Sequence, residues 1–164
     1  MTQCIQKQFE FQGLNQDNSK QNKKVIGAFN GGTITSDAGG LLLKEVETKT
    51  GIIQQFTKCF KDHRNPSYIE HSVYELISQR VYGLALGYED LDDHDTLRKD
   101  PLLATLSGKK DPTGENRFKQ RDKGNPLAGK STLNRLELSP EDADRNNRYK
   151  KIVYNEQLID KFFV

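Results

Sequence analysis

The stretch that most restricts what this chain can fold into follows Asn65-Pro66. Asparagine can cap a helix, and proline suits the first helical position, where its missing N–H would have no intrahelical partner. From there Ile69, Val73, Leu76, Ile77, Val81, Leu84 and Ala85 recur at helical spacing as far as Gly87. The pattern predicts an amphipathic helix of about five turns. Its apolar face has to be covered by the rest of the chain.

The neighbouring segments are shorter. Ser36-Asp37 can cap a helix whose Leu41, Leu42, Leu43 and Val46 form a buried stripe, stopped by Gly51. Ile52, Ile53, Phe56 and Phe60 suggest a second short helix. Asp92 to Lys99 places acids in a first turn and bases in a last one, as the helix dipole favours. Asp100-Pro101 restarts the chain into Leu102, Leu103 and Leu106, stopped by Gly108. After a Gly/Pro/Lys-rich loop over 109–128, Ser131 is expected to cap a brief helix through Leu133, Leu136 and Leu138. Ser139-Pro140 reads as a further cap, and a last helix from about Arg148 carries Ile152, Val153, Leu158, Ile159, Phe162 and Phe163.

Toward the N-terminus the period changes. Phe9 and Phe11 alternate with polar neighbours as in a short strand, residues 12–24 read as a polar connection, and β-branched residues flank Asn30-Gly31 as in a hairpin. The fold class expected is α+β, mainly α: a small N-terminal β-hairpin or sheet followed by a helical bundle. The expected segments are 1–35, the β part; 36–108, the bundle; 109–138, a basic loop with a helix-turn-helix-like segment; and 139–164, a linker and final helix. With 34% hydrophobic and 29% charged residues over 164 positions, one domain with a modest core is expected, or one relying on a partner. The last helix ends on Phe162-Phe163-Val164 without a cap, and each such side chain loses on the order of 1.5–3 kcal/mol if left exposed. That ending leads us to expect a chain cut short of a further domain.

Little in the chain resembles a self-contained active site. Cys4 and Cys59 share no metal-ligand or disulfide spacing, and no apolar run approaches a membrane span, so a soluble cytoplasmic protein with no membrane contact is expected. The acidic run Glu89 to Asp95 lacks the spacing and glycine of a calcium loop, and suits a solvated helix start. His63, His71 and His94 are scattered, and structural or surface roles are expected. No metal ligand and no catalytic residue is assigned within the chain.

Charge is more informative in its distribution than in its total of +2. Between 109 and 135 stand Lys109, Lys110, Arg117, Lys119, Arg121, Lys123, Lys130 and Arg135, opposed only by Asp111, Glu115 and Asp122. A polyanion responds to such a local surplus. With Ser131, Thr132 and Asn134 at a helix start, these residues form the candidate DNA-binding set, since mobile cations and free helix amides attract phosphates. The leucines between them have the texture of a helix-turn-helix reader. The pattern alone fits a solvated loop as well as it fits a DNA contact.

Several segments taken together resemble the DDE transposases of insertion sequences, in the subgroup known as transposase DDE domain group 1. They run in order from Phe29-Asn30-Gly31-Gly32-Thr33-Ile34-Thr35-Ser36-Asp37-Ala38-Gly39-Gly40 through Asp62-His63-Arg64, His71-Ser72 and Gln79-Arg80-Val81-Tyr82. Gly87-Tyr88-Glu89-Asp90, Asp93-His94-Asp95, Leu97-Arg98-Lys99-Asp100-Pro101 and Leu127 to Glu137 follow. The resemblance implies an RNase H-like core in which three carboxylates hold two Mg²⁺ ions for DNA strand cleavage and transfer. In the family the first catalytic aspartate lies in a Leu-Asp-Leu-Asp strand, and nothing here matches it. The expectation is therefore a DNA-positioning N-terminal part, inactive alone, with the core missing downstream. Its partners would be the double-stranded ends of the element and further copies of itself. Two rivals stand beside it: a helical protein-interaction module using Ile69–Leu84 and Phe162/Phe163, and a non-functional remnant of a decayed element.

Overall fold

The computed structural model describes residues 8–11, 25–28, 36–140 and 142–164. The N-terminal β part is an antiparallel pair, β1 (Gln8–Phe11) and β2 (Val25–Ala28), with Gln8 opposite Ala28 and Phe11 opposite Val25. The hairpin expected around Asn30-Gly31 lies outside the described residues. A 3₁₀ turn (Ser36–Gly39) leads into α1 (Gly40–Thr50), which Gly51 ends in a left-handed conformation, its N–H donating 2.7 Å to the Glu47 carbonyl. There follow α2 (Ile52–Thr57), β3 (Phe60–Asp62), α3 (Val73–Ala85), α4 (Asp93–Leu97), α5 (Pro101–Leu106), α6 (Lys130–Glu137), β4 (Ile152–Tyr154) and α7 (Glu156–Phe163). The fold is α+β and mainly helical, as expected.

Helix α3 is the centre, packing against α1, α2, α5 and α6. It is shorter than its periodicity suggested. Asn65 does cap a turn, accepting from the Ser67 N–H at 3.1 Å, but that turn is a 3₁₀ segment (Pro66–Tyr68) that stops at extended Ile69. The helix proper begins behind Ser72, where Ser72 Oγ accepts from Glu75 N and Glu75 Oε2 accepts from Ser72 N, a reciprocal capping box. Its inward face is Leu76, Ile77, Ser78, Gln79, Tyr82 and Gly83, whereas Val81 and Leu84 stay partly open to solvent. The core closes around Leu76 and Tyr82 with Leu41, Ile53, Leu103, Leu106, Leu127, Leu133 and Ile152.

Helix α1 also turns differently from its apolar stripe. Leu41 is buried, but Leu42, Leu43 and Val46 are exposed, while Lys44 and Glu47 are buried. Glu47 faces inward because its carboxylate accepts the Ile53 and Gln54 N–H groups at 2.7 and 3.0 Å, capping α2. Lys44 reaches the Tyr74 hydroxyl at 3.2 Å. Such partners offset part of the cost of desolvation, although burial still lowers the Lys44 pKa against the pull of Glu47.

Three local expectations at the C-terminal side are corrected. Ile152 and Val153 lie in a strand rather than a helix: β4 pairs antiparallel with β3, Phe60 opposite Tyr154, and the β-branched pair fills buried positions there. Helix α7 starts only behind Asn155, whose side chain accepts from Leu158 N at 2.9 Å. Ser139-Pro140 begins no helix among the described residues; Ser139 Oγ donates back to the Arg135 carbonyl at 2.6 Å, at the end of α6.

Candidate nucleic-acid interface

The 109–128 segment is a loop held by many internal hydrogen bonds. Asp111 accepts from the N–H groups of Thr113, Gly114 and Asn116 at 2.7–3.1 Å, and these bonds hold its carboxyl below the ordinary range. Arg117 spans the loop, donating to both Glu70 oxygens at 3.3 and 3.1 Å and to the Asn125 carbonyl. Lys109 is nearly buried, donates to the Glu70 carbonyl at 2.9 Å and lies 3.2 Å from Glu75 Oε2. Burial lowers its pKa against the opposing pull of Glu75. Arg98 reaches Asp122 at 3.4 Å. Two of the eight candidate cations, Lys109 and Arg117, therefore serve as internal struts. Lys110, Lys119, Arg121 and Lys123 lie on the surface, Arg121 with its side chain 79% exposed.

The start of α6 is set from three directions. Gln79 on α3 holds Ala128 through two bonds: its Nε2 donates to the carbonyl at 2.8 Å and its Oε1 accepts the N–H at 3.0 Å. The Leu127 N–H donates 3.2 Å to the Arg98 carbonyl. Asp95 on α4 accepts the Lys130 N–H at 3.0 Å, so the cap comes from another helix and not from Ser131, whose side chain caps nothing. Gly129 makes this approach possible, since a Cβ there would stand 2.8 Å from Asp95 Oδ1. Lys130 Nζ meets Asp92 at 2.9 Å, a bond that raises its pKa.

Behind this start an open cleft of about 490 Å³ is lined by Leu91, Asp92, Lys130, Ser131, Asn134, Arg135, Tyr149 and Lys150. Four of the candidate residues thus line one surface. Thr132 is not among the lining residues, nor are Lys119, Arg121 and Lys123. The Tyr149 ring, half exposed, carries two guanidinium groups close by, Arg135 at 5.0 Å and Arg148 at 4.9 Å from its centroid. Arg148, Tyr149 and Lys150 were missed in the sequence. Their signal, a basic-aromatic run reading Arg148-Tyr149-Lys150-Lys151, was hidden by assigning that run to a helix that does not form there.

Among the described residues no three His, Cys, Asp or Glu side chains converge. Several acids are engaged elsewhere: Asp62 by Arg64, Glu70 by Arg117, Asp92 and Asp95 by Lys130, and Asp100 by the N–H groups of Leu102 and Leu103. No helix among the described residues is long and apolar enough to cross a membrane.

Residues 17–164 match the family described as transposase DDE domain group 1. No curated protein and no solved structure matches the chain. The match spans nearly all of the sequence, and the chain belongs to that transposase family.

Proposed function

We propose that this member of the transposase DDE domain group 1 family positions double-stranded DNA at the ends of a mobile element, gripping phosphates with the cleft beside α6. The observation that carries the reading is the convergence of Lys130, Ser131, Asn134 and Arg135 with Lys150 and the Tyr149–arginine cluster on one open surface. Cations held by an aromatic ring are poised for phosphate contact without first losing the freedom of a loose side chain. Lys110, Lys119, Arg121 and Lys123 form an electrostatic flank, and Lys109 and Arg117 keep the loop that carries it in shape. The strand cleavage and transfer implied by the family need three carboxylates with Mg²⁺, a set that the described residues do not supply. The share of the reaction proposed for residues 36–164 is therefore binding and placement, in the cytoplasm on nucleoid DNA, with further copies of the chain as the expected partners in the complex.

The test is duplex binding followed over a salt series. Each phosphate contact contributes about 0.9 to the slope of log K against log salt. Replacing Arg135, Arg148 and Lys150 together with alanine is expected to reduce the slope by about two to three, with a smaller loss for Lys119, Arg121 and Lys123. Unchanged binding in the first variant overturns the proposal. A second reading, docking of a partner protein, has its own observation: an apolar groove of about 370 Å³ lined by Phe56, Phe60, Val81, Leu84, Leu136 and Ile159. It predicts that Val81→Ser abolishes complex formation while leaving the salt slope for DNA untouched.

A further inference from the structure

Among the polar groups inside the bundle, Gln79 and His94 form the connection that reaches the cleft. Both are buried, at 1% and 0% exposure. The orientation of the Gln79 amide is decided by its two bonds to Ala128: the oxygen faces an N–H and the nitrogen faces a carbonyl, so reversing it would set like against like. Its Nε2 must then also be the donor in the 3.1 Å contact with His94 Nδ1. An acceptor at Nδ1 means that neutral His94 carries its proton on Nε2. That nitrogen is buried, has no hydrogen-bond partner and lies over Gly83, where a Cβ would approach it to 3.1 Å.

We infer that Gln79 and His94 together position α6, and that protonation of His94 releases it. A proton added at Nδ1 turns the acceptor into a donor facing the Gln79 donor, and the two repel. Gln79 can meet the new N–H only by turning its oxygen away from Ala128, which frees the segment that leads into Lys130. The charged groups that act on the ring are Arg80 on α3, Asp93 and Asp95 on α4 and Glu137 on α6. Burial leads in keeping the ring neutral, Arg80 assists, and the three acids oppose. Gln79 is thus a positioning residue: it touches no ligand, and acts on the cleft through Ala128. The consequence for DNA rests on the proposed function; the latch itself does not.

The test is a pH titration of the full chain by NMR, read at the His94 ring and at the Ala128 and Lys130 amides. A duplex-binding series on the same samples follows. In the wild type, the Ala128 and Lys130 amides are expected to move with the His94 midpoint. The protection of the Ala128 N–H, corrected for the intrinsic slowing of amide exchange in acid, should fall as pH drops through that midpoint and level off below it. His94→Asn keeps an acceptor near the position of Nδ1 but cannot titrate, so its Ala128 amide should stay fixed across the same range. Gln79→Glu can accept from a charged ring, and should raise the His94 midpoint. Amides that ignore the His94 titration in the wild type, or that move identically in His94→Asn, overturn the inference. If the latch titrates as described while duplex affinity does not follow it, the latch stands and the DNA reading of the cleft falls. If the duplex binds through Arg135 with no latch, the reverse holds.

Discussion

Mild acid should weaken this fold before any carboxylate is protonated, and His71 makes the amount calculable. His71 precedes the α3 cap, is 7% exposed, and has Lys109, Arg117, Arg64 and Arg98 around it. Burial, with those cations, pushes its pKa down from 6.5 to about 2. Folded, it stays neutral through the mildly acidic range; unfolded, it takes up a proton below about 6.5. The unfolded state therefore binds more protons there, and the stability from neutral His71, full above pH 6.5, is lost as pH falls toward the folded value. Between pH 7 and 5.5 the loss comes to about 1.3 kcal/mol from this residue alone. His94, lowered chiefly by burial, acts in the same direction. Burial raises Asp62 and Glu70, but the hydrogen bonds from Arg64 and Arg117 outweigh it and leave both lowered, so their contribution is lost only below about pH 5. Urea unfolding at pH 7 and 5.5 measures the effect. With a slope of about 1.5–2 kcal/mol per molar urea, His71 shifts the midpoint by about 0.6–0.9 M. His71→Asn should remove that share and leave the share of His94. A midpoint that does not move between the two pH values, or one that moves equally in His71→Asn, refutes the reasoning.

Glu47→Ala should cost about 2–4 kcal/mol, because two α2 amides lose their acceptor in a buried place; faster hydrogen exchange at Ile53 and Gln54 locates the damage. Gly114→Ala combines a φ of +72° with a Cβ 2.6 Å from the Pro126 nitrogen, so it should destabilise by more than about 2 kcal/mol in urea unfolding. Gly83→Ala sits mid-helix, where alanine gains about 1 kcal/mol, yet its Cβ would stand 2.9 Å from His94 Cε1; a net loss of about 1–3 kcal/mol in thermal unfolding is expected. Arg117→Ala should loosen the 109–128 loop, read as new proteolytic cleavage there, because Glu70 and the Asn125 carbonyl lose their common partner.

Local chemistry was legible in the sequence wherever the cause of an element lies within a few residues of it. The Asp100-Pro101 cap, the Gly51 stop, the short α4 and the general predominance of helix all follow from caps, φ restrictions and dipoles. Family membership was legible for a related reason, since ordered short segments survive as text whatever their packing. Tertiary structure decided the rest. The face that α3 and α1 turn inward depends on polar groups meeting distant partners, as Gln79 meets Ala128 across 49 residues and Glu47 meets the next helix. Hydrophobic periodicity cannot see those bonds, because it counts every buried Gln, Lys or Glu as a cost. The strand at Ile152–Tyr154 needed its partner at Phe60–Asp62 to exist at all. The same is true of the candidate interface: charge surplus along the chain marked the right region, but only the fold separated the cations spent on Glu70 and Glu75 from those set around Tyr149. An ion pair is a distance, and distance between remote residues is what a sequence leaves open until the backbone has closed.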